Sequence, residues 1–187
     1  LAAISLADAA AETTISSSTT TAVRTSTVAN GAADDINIAS GGSITLSSGA
    51  AVTVDSSNKL TNAGTITING ADNVTAVAIA PGTSGAITNS GTITLTEDYT
   101  ATDTDSDGDL DGAFARGTNK KGIWVQGGAA HSGAIDHSGT ISIEGTASSG
   151  IRLDAALSGA LSTSGTIAVV GDNGVGVLAN GVTGNVT

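Results

Sequence analysis

Five aspartates alternate in one short stretch of this chain: Asp103, Asp105, Asp107, Asp109 and Asp111, with Gly108 after the third. A hard cation such as calcium takes six to eight oxygen ligands. Calcium loops provide them from carboxylates at loop positions one, three and five, a glycine at six for the sharp turn, and a main-chain carbonyl at seven. In that register Asp103, Asp105 and Asp107 are side-chain ligands. Asp109 gives its carbonyl, and Asp111 gives a carboxylate directly or through water. Calcium is therefore the expected cofactor. Five carboxylates this close repel one another without a counterion. The competing reading is a solvated acidic insertion, with Arg116, Lys120 and Lys121 as a partial internal counterion.

The match is to the loop alone. An EF-hand carries a bidentate Glu at position twelve, where this chain has Phe114, and no flanking helices are expected. Binding is accordingly weak unless Glu97 or Asp98 folds back. All three aromatics, Tyr99, Phe114 and Trp124, lie in or beside the same segment. They are expected to anchor it to the rest of the molecule by buried aromatic area; the alternative for an exposed Trp and Tyr is stacking on sugars. His131 and His137 are expected at surface turns rather than as a metal pair. No Gly-x-Ser-x-Gly elbow, phosphate-binding glycine loop or zinc spacing occurs. No acid–base constellation converges, since Arg152 is the only base expected on a stacked face, so the chain is expected not to be an enzyme.

Composition limits what can hold these residues. The 187 residues include 26 Gly but one Pro and one each of Trp, Tyr and Phe. A core at crystal-like density needs bulky side chains, so this core must be thin, as in stacked coils that bury apolar side chains against their neighbours. The formal net charge is −11. That argues against nucleic acid, whose binding rests on Lys and Arg meeting phosphates, and against an anionic membrane surface. There is no cysteine, hence no disulfide or thiol chemistry. No run of about 18 apolar residues exists to span a membrane as a helix.

The chain repeats itself. SGAITNSGTITL (84–95) returns as SGAIDHSGTISI (132–143) and SGALSTSGTIAV (158–169), with weaker copies KLTNAGTITI (59–68) and INIASGGSITL (36–46). The glycine before Thr-Ile or Ser-Ile recurs at Gly42, Gly64, Gly91, Gly139 and Gly165, at spacings of 22, 27, 48 and 26. A unit of about 26 leaves roughly 22 extra residues between Gly91 and Gly139. Apolar residues fall two apart, the period of a half-buried strand. The expected fold is all-β: a parallel β-helix (β-solenoid) with three strands per coil of about 26 residues and one inserted acidic loop. Ile44, Ile66, Ile93, Ile141 and Ile167 should stack as one inward row. Leu46, Ile68, Leu95, Ile143 and Val169 form the next. Corner glycines are expected to supply positive φ. Asn62 and Asn89 occupy matching corners as a short side-chain ladder, with His137 and Thr163 in those places later. Thr65 and Thr67, Thr92 and Thr94, then Thr140 and Ser142 form an outward hydroxyl array, interrupted by Ala168.

The expected organisation has three parts. LAAISLADAAA (1–11) reads as the end of a signal peptide, with an Ala-rich linker or helical turn as the alternative. Residues 12–33 are a leader or irregular first coil. Residues 34–187 are the solenoid, with the insertion at 97–119 and an open C-terminal end.

The Asn-Ser-Gly-Thr-Ile and Ser-Gly-Ala-Ile units, together with TEDYTATDTDSDGDLDGAFARGTNKKGI (96–123) set among them, resemble the passenger region of bacterial autotransporters, with repeats of alphaproteobacterial type. The resemblance implies a parallel β-helix exported through the outer membrane by a C-terminal β-barrel translocator. It implies an extracellular or cell-surface location, and a structural or adhesive stalk whose partner is a glycan, another surface or another cell-surface protein, without membrane insertion by this segment. Two other functions stand beside it. One is a polysaccharide-acting β-helix enzyme of the lyase type, which a convergent acid–base cleft would favour. The other is ice- or crystal-surface binding through the Thr-x-Thr face.

Overall fold

The computed structural model describes residues 12–187. The signal-peptide reading of residues 1–11 falls outside the described residues. Eighteen short strands, numbered in chain order, form three six-stranded sheets, and every pairing within them is parallel. The first sheet contains β1 (Thr13–Ile15), β4 (Ile36–Ile38), β7 (Leu60–Asn62), β10 (Ile87–Asn89), β13 (Ile135–His137) and β16 (Leu161–Thr163). The second contains β2 (Ser18–Thr19), β5 (Ser43–Leu46), β8 (Thr65–Asn69), β11 (Thr92–Thr96), β14 (Thr140–Glu144) and β17 (Thr166–Val170). The third contains β3 (Val23–Arg24), β6 (Ala50–Val54), β9 (Thr75–Ile79), β12 (Lys121–Val125), β15 (Ser149–Leu153) and β18 (Val175–Ala179). Each strand pairs with its counterpart one coil away, so the chain is a parallel β-solenoid of about six turns with about 26 residues per coil. Among the described residues there is no helix.

The register explains why these residues form this fold. Ile44, Ile66, Ile93, Ile141 and Ile167 lie in one row of the second sheet. Leu46, Ile68, Leu95, Ile143 and Val169 form the row beside it. The third sheet adds Val52, Val77, Ile123, Ile151 and Val177, and the first adds Ile36, Leu60, Ile87, Ile135 and Leu161. In the middle coils these residues are buried in one continuous core. β-Branched side chains suit a pleated surface with a copy of themselves about 4.8 Å above and below. Residues 13–24 supply the first rung of all three sheets. At the other end, Val170, Val175, Val177, Leu178 and Val186 remain exposed.

Glycines between strands supply the expected positive φ at Gly49, Gly70, Gly82, Gly128 and Gly171, but the glycines before Thr-Ile or Ser-Ile serve a different purpose. Gly91 does not have positive φ. A Cβ placed on it would lie 2.2 Å from the Gly64 carbonyl oxygen, and one on Gly139 would lie 2.0 Å from the Gly91 oxygen. The backbones of successive coils come too close at this corner for any side chain, so space, not dihedral freedom, selects glycine.

Candidate metal centre

The insertion leaves the rod between β11 and β12. Thr96 pairs with Asn69 and Lys121 with Thr75, so 24 residues span a corner that takes five in the coil below. The coil resumes before β12 begins. The Thr118 carbonyl accepts from the Asn73 amide, and the Asn119 amide donates to the Thr146 carbonyl. The extra residues are therefore Tyr99 to Gly117, inside the expected 97–119 and somewhat fewer than the roughly 22 that the glycine spacing implied.

The neck is closed by charge-assisted hydrogen bonds. The Glu97 carboxylate accepts from the Arg116 amide at 2.8 Å and from the Gly117 amide. Asp72 Oδ1 accepts from the Thr118 amide at 2.7 Å, and the Glu97 amide donates to Glu144 Oε2 at 3.1 Å. Beneath them Lys120 is fully buried, its Nζ donating to the Thr96 carbonyl at 2.6 Å. Burial lowers the Lys120 pKa, while Glu97, Asp72, Glu144 and Asp98 act against that shift. A lone buried ammonium is expensive; here surrounding carboxylates and one carbonyl offset the expense.

Beyond the neck, Thr102 and Asp111 form an antiparallel bridge. The tip then curls on its own backbone amides. Asp103 Oδ1 accepts from the Ser106 amide at 2.6 Å and its Oδ2 from the Gly108 amide at 3.1 Å. Asp111 Oδ2 accepts from the Thr104 amide at 2.6 Å, the Thr104 hydroxyl at 2.5 Å and the Asp105 amide at 3.3 Å. The Thr104 contacts hold the Asp111 carboxyl below its ordinary pKa. Positive φ at Ser106 and Gly108 makes the bend.

This folding brings together part of the expected ligand set. Carboxylate oxygens of Asp103, Asp105 and Asp111 lie within 4.8 Å of one another. Two oxygens across a calcium ion are separated by about twice the 2.3–2.6 Å bond length, so three such oxygens fit one ion. The Asp107 and Asp109 carboxylates lie outside the group. Asp107 Oδ1 instead accepts from the Asp109 amide at 3.2 Å.

The cations expected to neutralise the loop are engaged elsewhere. The Arg116 guanidinium lies 4.1 Å from the Tyr99 ring centroid. Lys121 Nζ lies 4.7 Å from the Trp124 ring centroid and donates to Asn119 Oδ1 at 2.7 Å. Lys120 is at the neck. Among the described residues, ion pairs join Arg24 to Asp55, Lys59 to Glu12 and Asp35, and Arg152 to Asp154. None involves the five tip aspartates.

Two further expectations are corrected. Phe114 is not a buried anchor: it is 61% exposed. Tyr99 and Trp124 are half-buried, and Trp124 belongs to β12, with its Nε1 donating to Asp154 Oδ2 at 2.8 Å. The histidines are not surface turn residues. His131 and His137 are both fully buried. His137 lies in register with Asn89, itself in register with Asn62. The parity of Ile135 and His137, two apart like Ile87 and Asn89, was the signal that places it inward.

On the outer face of the second sheet, Thr65, Thr92, Thr140 and Thr166 stand in one row, and Thr67, Thr94, Ser142 and Ala168 in another. A shallow groove beside that sheet is lined by Thr20, Thr45, Leu46, Ser47, Ser48 and Asn69, none of them an acid or a base. Fold and site together define a parallel β-solenoid carrying one acidic insertion. No protein-family model, no curated protein and no solved structure matches the chain.

Proposed function

We propose that this chain is a structural stalk of the autotransporter-passenger type, displayed at the bacterial surface, with a calcium-binding loop on its side. The observation that carries the reading is the convergence of Asp103, Asp105 and Asp111 on an insertion whose tip aspartates have no ion-paired cation among the described residues. The uninterrupted ladders on either side supply rigidity and reach. Its role is adhesive or spacing rather than catalytic, and its partner is a glycan or a cell-surface protein. Export through the outer membrane by a C-terminal barrel belongs to the same reading, which rests on the repeat units and the insertion set among them. The extracellular compartment supplies calcium at levels sufficient for a site with a Kd of about 0.1–1 mM.

Calorimetry tests the loop. The wild type should bind one calcium ion in that range, and Asp105→Ala with Asp111→Ala should not. Equal binding by both, or none by the wild type at millimolar calcium, removes the metal site. Surface display with and without the insertion, scored for attachment to glycan-coated supports, tests the adhesive role.

A further inference from the structure

A polar column runs along the buried side of the first sheet, beside the row of Ile36, Leu60, Ile87, Ile135 and Leu161. Asn62 Nδ2 donates to Asn89 Oδ1 at 2.7 Å, and Asn89 Nδ2 meets His137 Nδ1 at 3.0 Å. His137 Nε2 meets the Thr166 carbonyl at 3.2 Å. All three side chains are buried, on β7, β10 and β13. A carbonyl only accepts, so His137 Nε2 carries a hydrogen. In the neutral ring Nδ1 is then the acceptor, and Asn89 must present its NH2 to it. This fixes the polarity of the whole column. Its lower end is a dead end: the residue in register below Asn62 is Ile38, and Asn62 Oδ1 is buried without a partner.

We propose that the column is an amide relay, in which protonation of His137 reverses the side-chain amides of Asn89 and Asn62 and so accommodates the charge inside the folded rod. A proton added at Nδ1 would meet the Asn89 NH2 group, donor against donor. Rotating the Asn89 amide by half a turn presents Oδ1 to the new N–H. Its NH2 then faces Asn62, which rotates in turn to offer Oδ1. Both hydrogen bonds re-form with reversed direction. The only change in pairing is at the dead end, where an unpartnered Asn62 oxygen gives way to an unpartnered NH2. Nothing is transferred except the one proton His137 takes from solvent. The reversed amide dipoles place oxygen toward the imidazolium, the orientation that stabilises it.

The surroundings leave the relay as the main response available. β7, β10, β16 and β17 carry no titratable side chain. On β13 the neighbouring Asp136 is exposed, and on β14 the only titratable group is Glu144 at the far end of the strand. No carboxylate among them faces the ring. His131 provides the contrast. The Thr83 hydroxyl donates to the Ala80 carbonyl, so its oxygen accepts from His131 Nδ1, and His131 Nε2 is buried with no partner. The two buried histidines hold opposite tautomers, and only His137 has a chain of amides to turn.

NMR on the isotopically labelled full chain tests this. At neutral pH the ring nitrogens should report Nε2–H at His137 and Nδ1–H at His131. On acidification the side-chain amide signals of Asn89 and Asn62 should move with the same midpoint as the His137 ring. His137→Asn continues the ladder with the residue already used in two coils, so it should fold, and both amide signals should then stay flat over the same acidification. The proposal is overturned if the Asn62 amide stays still while His137 titrates, or if it still moves in His137→Asn. It is also overturned if His137 carries Nδ1–H at neutral pH, or titrates only as the rod unfolds.

Discussion

Single side chains decide how this rod responds to its solvent. Burial pushes the His131 pKa below its ordinary value of 6.5, against smaller opposing contributions from the backbone at Thr83 and Gly85. The folded state therefore binds this proton less readily than the unfolded chain. Its stabilising effect is complete above about pH 6.5 and is lost as pH falls below that value. The urea midpoint should drop between pH 7.5 and pH 5.5, and the drop should shrink in His131→Asn; an unchanged drop would assign the effect to other groups. At the insertion tip, Asp111 has two roles. It accepts three hydrogen bonds through one oxygen and joins the carboxylate cluster. Asp105 accepts only one long hydrogen bond, from the Asp107 amide. Asp105→Asn should therefore weaken calcium binding at least tenfold with little change in Tm without metal. Asp111→Asn should lower both, read by calorimetry and thermal melts.

Strands and corners set the stability of the fold. Ile141 is fully buried, with Ile93 below and Ile167 above. Ile141→Ala should cost about 2–5 kcal/mol, the range for a large core side chain whose cavity cannot collapse. Ile141→Asp should abolish folding, because an unpaired charge would enter the core. Gly91→Ala is the sharper test of coil spacing. Its Cβ would fall within van der Waals overlap of backbone atoms from the coil below. Overpacking against backbone, which has no rotamer to yield, should cost at least about 1–3 kcal/mol, measured by urea titration. A Gly91→Ala rod as stable as wild type would show that the coils can part at this corner. The neck of the insertion is a separate element. Glu97→Ala removes the acceptor for two backbone amides. Trypsin should then cut at the exposed Arg116 several times faster, while the ladders keep their circular dichroism.

At the scale of the whole molecule, rod and insertion are separable. The coil resumes at Thr118, so joining Asp98 directly to Thr118 gives this corner the length found between β8 and β9. That shortened chain should fold with the same three sheets and lose its calcium response. In the intact chain, millimolar calcium should raise Tm by mass action and slow cleavage of the loop. A shortened chain that fails to fold, or still responds to calcium, would mean that the insertion is part of the rod rather than an attachment to it.

The repeat alone determined the architecture. Apolar residues two apart, a glycine at a fixed place and a unit of about 26 residues admit few folds other than a stack of parallel coils. The inward rows of isoleucine could be aligned by position because each residue packs on its own copy. What lay outside the repeat was decided only in three dimensions. The loop register gave Asp107 the same side-chain role as Asp103 and Asp105, yet the group that forms around the bend at Ser106 and Gly108 holds Asp103, Asp105 and Asp111 without Asp107. Arg116, Lys120 and Lys121 looked like counterions because they are near in sequence. Tertiary packing sends one onto an aromatic ring, one into the neck and one across Trp124. His137, expected at a surface turn, is buried by its place in the ladder. It differs from the insertion residues in having copies at Asn89 and Asn62 that already mark it as inward. For the insertion, the physical reason is the lack of such copies. A repeat encodes contacts between identical positions, so its periodicity specifies them directly. A single insertion has no copy to align with, and only the surrounding coils decide which partner each of its residues meets.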